Sequence, residues 1–504
     1  MKRVCIVGLD GVSYRIVKLL SNTLQLSNIA NILCKGMVFS PISIPPYTPI
    51  AWTSIFTGVN PGKHSVYGYY NVQRFEKSFR AKLNNSYTVK YPRIFEILAM
   101  HRLRSVVINV PLTYPVRGIV GHSNMVIVSD WSSPKQFIYP KHYETKFQHY
   151  LLTPPHTWWA YMGDEYHKFV SKYSEARINL CLELLEEDFQ LFIVIISELD
   201  WLLHKYPSIL TGRDLDKVYR IALLINKLFK KAREVCDLII IVSDHGFETS
   251  HYILNINMLL ALEGLTSYKY LPAPSKILKL FSTKSKQNIT QKSLKRRSLA
   301  KHGLLNHIVR TSTRILEKII PLHIVNAYNK YIPIHVTTDL DSSKVLMIEY
   351  ESWSLYIDDE YFDKTINLLK RIGLIRKLLF KHELFWGPYT DIAPDIVIIP
   401  RSSVTYGASL QGSIIEQKVS SHHDVNALLI LYGDDVCNNS SRANASLFDI
   451  VPTALAYMGL PIPHNSDGKI LSEVSSINLR DVKKINFIQR FKVIRKMNRV
   501  HTRT

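Results

Sequence analysis

The chain has 504 residues, of which 46% are hydrophobic and 21% are charged. This composition is globular and excludes a largely disordered chain, and the length predicts two or three domains or one large α/β domain with insertions. Lys and Arg number 63 against 41 Asp and Glu, a formal net charge of +22. Such a charge predicts attraction to polyanions but does not identify a reaction.

Neither the cysteines nor the apolar runs indicate an exported or membrane-spanning protein. The five cysteines are widely spaced and contain no CxxC, so neither a disulfide framework nor a thiolate zinc site is supported. The first apolar run is interrupted at Asp10 and is typical of a buried strand rather than of a signal peptide. No apolar stretch approaches the roughly 18 residues that a spanning helix needs. We therefore expect a cytoplasmic protein.

Short β-branched runs alternate with helical patterns over residues 1–260. Strands are predicted at Arg3–Gly8, Ser105–Val110, Leu191–Ile196 and Leu238–Val242, with helices at Tyr166–Leu185 and Leu215–Cys236. This alternation predicts a mostly parallel sheet with helices on both faces. Functional groups in such sheets gather at the carboxyl ends of the strands.

The composition turns strongly basic over residues 267–335, which predicts a helical insertion. Strands are predicted again at Lys344–Tyr350, Ile396–Ile399 and Leu428–Leu431, followed by a helix at Ser446–Met458. Residues 476–504 interleave basic and apolar side chains, as an amphipathic tail does. The expected organisation is an α/β core in two parts, 1–266 and 336–475, with the insertion 267–335 between them and the tail 476–504 after them.

Carboxylates and imidazoles follow several of the predicted strands. They are Asp10, Asp200, His204, Asp244, His245 and the pair His422–His423. Each has a plain alternative when taken alone: an Asp after a strand often caps a helix, and a His pair often lies on the surface. At one common sheet edge, however, the set is large enough to bind two metal ions, zinc or manganese.

Thr48 follows the rigid pair Pro45–Pro46 and begins a predicted helix through Ile50–Phe56. A metal ion can lower the pKa of a hydroxyl and present it for attack, and the N–H groups of a helix N-terminus stabilise phosphoryl oxygens. The alternative is that Thr48 only caps this helix.

Seven motifs along the chain together resemble one known family. They lie at Val7–Gly11, Pro45–His64, Asn109–Pro115, Asp200–His204, Ser243–Phe247, Ala393–Ile398 and Phe448–Pro463. In this order they resemble the type I phosphodiesterase/nucleotide pyrophosphatase family of the alkaline phosphatase superfamily, especially its prokaryotic and archaeal members. The resemblance covers roughly residues 1–260 and 340–475, and it implies a three-layer α/β/α fold of the alkaline phosphatase type.

The resemblance also implies a site with two divalent metal ions, zinc or alternatively manganese. One ion would be held by Asp10, Asp244, His245 and the Thr48 hydroxyl. The other would be held by Asp200, His204 and His423, with His422 as the alternative imidazole. Thr48 would attack phosphorus and form a phosphothreonine intermediate. The reaction implied is hydrolysis of a phosphodiester or pyrophosphate in a small phosphorylated or nucleotide-like substrate.

Departures from the family pattern concern recognition of the substrate. Tyr69 stands where eukaryotic members have the Asn that binds a phosphoryl oxygen, and Asn71 is the nearby alternative. Thr48 lacks the C/S-x-P-x-R context of sulfatases, which argues against that chemistry. The alternative functions are a phosphomonoesterase or phosphotransferase of the same superfamily, and a non-catalytic protein that binds polyanions or membranes.

The basic segments suggest partners without defining them. The insertion is expected to cap the site and draw in an anionic substrate, or else to be a solvated surface. The tail is expected to be a solvated surface or else to bind an anionic membrane surface. No nucleic-acid-binding module accompanies these segments, which argues against nucleic acid as the substrate. The sequence leaves the oligomeric state open.

Overall fold

The computed structural model describes residues 1–75, 78–147, 150–151, 162–272, 334–410, 412–437 and 444–500. Its strands are β1 (Val4–Leu9), β2 (Met37–Phe39), β3 (Tyr70–Phe75), β4 (Ser78–Leu83), β5 (Ser105–Ile108), β6 (Met125–Val128), β7 (Ile138–Tyr139), β8 (Leu191–Ile196), β9 (Leu238–Val242), β10 (Gly246–Asn255), β11 (Tyr268–Pro272), β12 (Ile334–Thr338), β13 (Val345–Leu346), β14 (Ser354–Ile357), β15 (Ile375–Phe380), β16 (Ile396–Pro400), β17 (Val404–Gly407), β18 (Ile415–Asp424), β19 (Leu429–Tyr432), β20 (Ile462–Pro463) and β21 (Lys484–Ile485). Its helices are α1 (Tyr14–Thr23), α2 (Ser27–Lys35), α3 (Thr48–Thr57), α4 (Pro61–His64), α5 (Ile94–Met100), α6 (His142–Lys146), α7 (Tyr166–Leu184), α8 (Glu198–Lys205), α9 (Asp216–Val235), α10 (Ile256–Leu262), α11 (Phe362–Arg371), α12 (Lys381–Leu384), α13 (Ile450–Tyr457) and α14 (Phe487–Val500).

A large sheet in the order β2-β19-β9-β1-β8-β5-β6-β7 forms the centre of the molecule. Strands β9, β1, β8, β5 and β6 run parallel to one another. Strand β19 is antiparallel to both β9 and β2, and β7 is antiparallel to β6. The predicted strands Leu191–Ile196 and Leu238–Val242 are β8 and β9, and the mostly parallel α/β fold is confirmed.

Helices cover both faces of this sheet because its central strands are apolar on both sides. In β1, Cys5 and Val7 belong to a core cluster that also holds buried residues of α1, α2, α7 and α9. Val4 and Ile6 point the other way, into a cluster with residues of α3, α5 and α13. Alternate side chains of one strand therefore reach two separate helical layers, which gives the expected α/β/α arrangement.

Two smaller sheets extend the fold from the end of β9. Strands β17, β10 and β18 form one sheet, and β13, β14, β16 and β15 form the other. Strand β18 is antiparallel to β10, with Phe247 opposite His423 and Glu248 opposite His422. The histidine pair therefore lies at the end of a strand of the β17-β10-β18 sheet, and it precedes β19 of the large sheet, as its place before Leu428–Leu431 predicted. Because β10 begins just after β9 ends, the pairing of β18 with β10 places the histidine pair near the end of β9.

The basic insertion lies almost wholly outside the described residues, which stop at residue 272 and resume at 334. Its two ends pair as the antiparallel strands β11 and β12, with Tyr268 opposite Thr338. The predicted strand Lys344–Tyr350 is shorter than expected, because only Val345–Leu346 pairs as β13.

The tail forms helix α14, whose apolar side packs on the core. Phe487 and Phe491 are buried there. The buried guanidinium of Arg495 donates to the carbonyl of Val89 at 2.6 Å and to that of Gly118 at 2.5 Å. Within the described part of the chain, no helix is long and apolar enough to cross a membrane.

Candidate active site

Two strand ends of the large sheet deliver the first group of polar side chains. Asp10 follows β1, and its N–H donates to the carbonyl of Ile196 at 3.1 Å. Asp244 and His245 follow β9 and are completely buried. Strands β1 and β9 are neighbours, so the ligand atoms of Asp10, Asp244 and His245 lie within 4.8 Å of one another.

Gly11 allows this close approach. It has a positive φ of 73°, and its N–H donates to Asp244 Oδ1 at 3.2 Å. A Cβ at this position would lie only 2.4 Å from the ring of Phe247. The glycine of the VGLDG motif is therefore required both by the left-handed backbone and by the space beside Asp244.

The second group comes from helix α8 and strand β18. Asp200 and His204 are four residues apart on one helix face, with His204 Nε2 3.6 Å from Asp200 Oδ1. His423 Nε2 lies 3.0 Å from His204 Nε2 and 3.4 Å from Asp200 Oδ1. The other ring nitrogen of His423, Nδ1, donates to the carbonyl of Pro46 at 2.9 Å, which leaves Nε2 facing the group.

The two groups are in contact through His245 and His423. The rings of His245 and His423 stack with their centroids 3.6 Å apart. Asp200, His245 and His423 also bring their ligand atoms within 4.8 Å of one another. The six predicted ligands thus form one continuous cluster of two overlapping sets. His422 is buried on the opposite face of the strand, since neighbouring strand residues point to opposite sides.

Thr48 lies at the edge of the first group. It is the first residue of α3, and the N-cap position belongs to Tyr47. Its hydroxyl Oγ1 is 3.5 Å from His245 Nε2. The alternative that Thr48 serves as the helix cap is therefore not what the structure shows. The hydroxyl faces the cluster at the N-terminus of a helix, where backbone N–H groups favour negative charge.

Burial and like charge leave Asp10 and Asp244 poorly ionised when no cation is present. Burial, followed by the charges of Asp244 and Asp200, raises the pKa of Asp10 well above its usual range. Burial raises the pKa of Asp244 to about 8. Burial also lowers the pKa of His423 to about 3, which keeps this imidazole in the neutral form that binds metals.

Unpartnered buried oxygens show that the cluster suits cations. Among the described residues, Asp10 Oδ1, Asp200 Oδ1 and Asp244 Oδ2 are buried without a hydrogen-bond partner. Buried carboxylate oxygens carry a large desolvation cost unless something neutralises them. Three such oxygens beside neutral imidazole nitrogens are a donor set of the kind that divalent transition metals accept.

Comparison with known families agrees with this geometry. The family described as type I phosphodiesterase / nucleotide pyrophosphatase matches residues 4–422. The chain belongs to this family. No curated protein matches the chain. The match ends one residue before His423, so the placement of that imidazole rests on the structure alone.

Solved structures of the alkaline phosphatase superfamily share the fold of this phosphodiesterase-family chain. Phosphonoacetate hydrolase from Sinorhizobium meliloti 1021 is 14% identical with a TM-score of 0.56, covering 90% of this chain and 95% of its own. Murine ectonucleotide pyrophosphatase/phosphodiesterase 5 is 12% identical with a TM-score of 0.52, covering 93% and 98%. The alkaline phosphatase PafA is 12% identical with a TM-score of 0.53, covering 95% and 99%. Family and fold together identify a hydrolase that acts by phosphoryl transfer, in a superfamily that uses divalent metals.

A cavity of about 790 Å³ opens onto the cluster. Asp10, Thr48, Asp200, His204 and His423 line its floor. Its walls are largely aromatic, and they are formed by Tyr47, Tyr69, Tyr70, Trp131, Tyr166, Trp201 and Tyr350. The cavity is large enough for a small organic phosphate ester, with the reacting group at the floor and the remainder against aromatic rings.

Two acidic residues of the cavity were not predicted from the sequence. Glu351 Oε2 lies 3.7 Å from His423 Nδ1, and burial raises the pKa of its carboxyl to about 8. Glu349 Oε1 accepts hydrogen bonds from the Tyr47 hydroxyl at 2.7 Å and from the Tyr69 N–H at 2.9 Å. Both follow the short strand β13, in a stretch with no recognisable spacing of ligands.

The structure places Tyr69 and Asn71, the two residues that the sequence offered for phosphoryl recognition, in different depressions of the surface. Tyr69 lines the cavity with Thr48. Asn71 lines a different depression, together with Gln73 and Lys82 of the β3–β4 hairpin. His64, from the same motif block, is completely buried, and its Nε2 lies 3.0 Å from Ser54 Oγ. It therefore has a structural role next to α3.

Proposed function

We propose that this protein is a metal-dependent phosphodiesterase, active on phosphodiesters or pyrophosphates, that uses Thr48 as its nucleophile and two divalent metal ions. The observation that carries the proposal is the position of the Thr48 hydroxyl. It lies 3.5 Å from His245 Nε2, beside a cluster whose carboxylate oxygens are buried and unpartnered. A hydroxyl in that position can serve both as a metal ligand and as the nucleophile that attacks phosphorus.

The residues divide between the two ions according to their contacts. Asp10, Asp244, His245 and the Thr48 hydroxyl would hold one ion. Asp200, His204 and His423 would hold the other. Carboxylate and imidazole donors suit zinc, and manganese is the alternative. A pair of such ions lowers the pKa of a hydroxyl and neutralises charge on the phosphoryl group.

The chain's own residues then account for the two steps. The Thr48 oxygen loses its proton to solvent and forms a bond to phosphorus, while the bond from phosphorus to the leaving oxygen breaks. Water next attacks the phosphothreonine and restores the hydroxyl. The helix α3 N-terminus supports both steps, because its free N–H groups face the negative phosphoryl oxygens.

The aromatic walls favour an organic ester over inorganic polyphosphate. Rings of this kind stack on nucleobases and pack against apolar groups. One structural neighbour, murine ectonucleotide pyrophosphatase/phosphodiesterase 5, has been crystallised as an inactive form in complex with AMP. That precedent makes a nucleotide-like substrate the first class to test. Phosphomonoesterase or phosphotransferase activity is the second candidate, because the same cluster would serve it.

The test combines metal analysis with two synthetic esters. The purified full chain is expected to hold about two equivalents of zinc or manganese per chain. It is expected to cleave bis-p-nitrophenyl phosphate with a higher kcat/KM than p-nitrophenyl phosphate. Preference for the monoester would replace the diesterase assignment with the second candidate. A chain that retains no metal and cleaves neither ester would be a non-catalytic binding protein.

Substitutions at Thr48 test the nucleophile directly. Thr48→Ala is expected to abolish turnover while keeping most of the metal, and Thr48→Ser is expected to keep part of the turnover. Thr53→Ala is the matched control. Thr53 lies on the same helix, and its hydroxyl donates to the carbonyl of Pro49 at 2.6 Å. Wild-type turnover by Thr48→Ala would show that another group attacks phosphorus.

A further inference from the structure

Asn109 is the first residue of the motif Asn109–Pro115, which the proposed reaction does not use. It directly follows β5, is completely buried and has a positive φ of 58°. Asparagine adopts this left-handed backbone more readily than most residues, and its side-chain amide offers both donors and an acceptor. Since buried polar groups need hydrogen-bond partners, the partners of this amide indicate what the residue does.

The Asn109 amide connects the ends of three strands of the large sheet. Its Nδ2 donates to the carbonyl of Ile195 in β8 at 2.8 Å and to the Oγ of Ser197, just after β8, at 3.1 Å. Its Oδ1 accepts from the N–H of Trp131, in the loop after β6, at 3.0 Å. A backbone carbonyl can only accept and a backbone N–H can only donate, so these contacts define which side of the amide carries the oxygen.

Ser197 links this amide to the first group of predicted ligands. Its hydroxyl oxygen accepts the bond from Asn109, so its own proton is available to another acceptor. That acceptor is the carboxyl of Asp10, because a hydrogen bond from Ser197 partly offsets the rise in the pKa of Asp10 that burial chiefly causes. The backbone of Asp10 is bound to the same strand end, since its N–H donates to the carbonyl of Ile196 at 3.1 Å. Both the side chain and the backbone of Asp10 thus depend on the part of β8 that Asn109 holds.

The same serine also marks the start of helix α8. Ser197 occupies the N-cap position, but its side chain makes no capping hydrogen bond to the helix. A serine at an N-cap usually uses its hydroxyl for that purpose, whereas this hydroxyl is taken up by Asn109 and Asp10. Helix α8 carries Asp200 and His204. A displacement of Ser197 would therefore disturb both groups of predicted ligands.

We propose that Asn109 is a positioning residue that sets the metal-binding geometry of Asp10 through Ser197. This inference rests on the proposed function. A carboxylate that is held in place by hydrogen bonds binds a metal ion more tightly, and loss of such an outer-shell partner typically costs about 10–100-fold in metal affinity. Asn109 is not itself a metal ligand and takes no part in the bond changes at phosphorus.

The decisive variant is Asn109→Gly in the full chain, because glycine accepts the positive φ and removes only the amide side chain. The zinc affinity of the chelator-treated protein, measured by competition with a fluorescent chelator, is expected to fall by about 10–100-fold. At limiting zinc the kcat/KM for bis-p-nitrophenyl phosphate is expected to fall with it, and saturating zinc is expected to restore part of the loss. A purely structural defect would not respond to zinc in this way.

Thr113→Val is the matched control within the same motif. Thr113 is completely buried, and its hydroxyl donates to the carbonyl of Val110 at 2.9 Å. The substitution removes a buried hydrogen bond close to Asn109 without removing a contact of Ser197. This variant is expected to keep the wild-type zinc affinity.

Ser197→Ala provides a second, independent variant, and it carries the same test if Asn109→Gly does not fold. It keeps the bond from Asn109 to Ile195 but removes the hydroxyl that reaches Asp10, so zinc affinity is expected to fall in the same direction. The double variant is expected to bind zinc little more weakly than the weaker single variant, since both changes act on one interaction. Fully multiplicative losses would show that Asn109 does not act through Ser197.

Two outcomes would overturn the inference while leaving the proposed function intact. One is wild-type zinc affinity in a folded Asn109→Gly variant. The other is an equal loss of zinc affinity in Thr113→Val, which would show that any disturbance of this motif has the same effect. If the wild-type chain bound zinc but cleaved neither ester, the proposed function would fail, and the zinc affinities of the variants would still decide the role of Asn109.

Discussion

Removing the metals should make the stability of this protein fall as the pH rises through neutrality. The cause is the group of buried carboxyls at the site. The pKa of Asp244 is raised to about 8 by burial, and that of Glu351 to about 8 by burial and by the charge of Asp200. In the unfolded chain both groups ionise near their ordinary values of 3.8 and 4.5.

The sign follows from counting protons. Between pH 6.5 and 7.5 the folded metal-free protein keeps both carboxyls protonated, whereas the unfolded chain has lost both protons. Stability therefore decreases as the pH rises, by up to about 1.4 kcal/mol per pH unit for each group, or about 3 kcal/mol for the two. Buried His423, with its pKa lowered to about 3, acts in the opposite direction, but only below its unfolded value of 6.5. The window above pH 6.5 therefore isolates the carboxyls.

The assay is thermal unfolding of chelator-treated and zinc-loaded protein at pH 6.5 and 7.5. With an unfolding entropy of ~2.1 cal/mol/K per residue, a loss of about 3 kcal/mol corresponds to a fall in Tm of about 3 °C. Zinc bound as proposed would hold Asp244 ionised at both pH values, so the zinc-loaded protein should show a smaller fall in Tm. The Asp244→Asn variant, treated with chelator, should show a smaller fall than the wild type. A Tm of the metal-free protein that is constant or rises over this window would refute the reasoning.

Three further predictions address the second ligand group, the tail and its anchor. His423→Ala should weaken binding of the metal ion proposed to lie at α8 by more than the about 10–100-fold that loss of an outer-shell partner costs, whereas His422→Ala should keep wild-type metal content when measured by mass spectrometry. A double variant in which Glu replaces both Lys492 and Lys496 should co-sediment less with vesicles that contain phosphatidylserine. If the variant and the wild type bound these vesicles equally, the tail would be excluded as a membrane contact. Arg495→Met should lower the stability of the fold by about 2–4 kcal/mol in urea unfolding, because it leaves several buried carbonyls without a charged donor.

The large sheet was predictable because its strands are buried on both faces. Leu191–Ile196 and Leu238–Val242 are uninterrupted apolar runs, and a parallel strand between two helical layers requires such a run. The polar residues directly after these runs were predictable for the same reason, because adjacent parallel strands end at one edge. Asp10, Asp200 and Asp244 could therefore be placed together before any coordinates were known.

The second half of the chain contributes site residues whose positions depend on tertiary contacts, and such contacts leave no local pattern in the sequence. Glu349 reaches a tyrosine hydroxyl 302 residues earlier in the chain, and its side chain binds there just after β13 ends. The predicted strand Lys344–Tyr350 was too long because this segment turns toward the cavity. The choice between His422 and His423 depended on which face of β18 looks inward. Only the pairing of β18 with β10 defines that face.

The protein as a whole is basic, whereas the described residues that line its cavity include acidic but no basic side chains. The surface charge and the cavity must therefore have different roles in binding an anion. The chain carries a formal charge of +22. Among the described residues, the cavity is lined by four carboxylates, Asp10, Asp200, Glu349 and Glu351, and by no Lys or Arg. An anionic substrate at the floor would therefore find no cationic side chain among these residues. Surface charge can raise the rate of encounter with an anion, but it is screened beyond about 8–10 Å in physiological salt. The attraction at contact distance would then come from the backbone N–H groups at the N-terminus of α3 and, if the proposed function holds, from the metal ions.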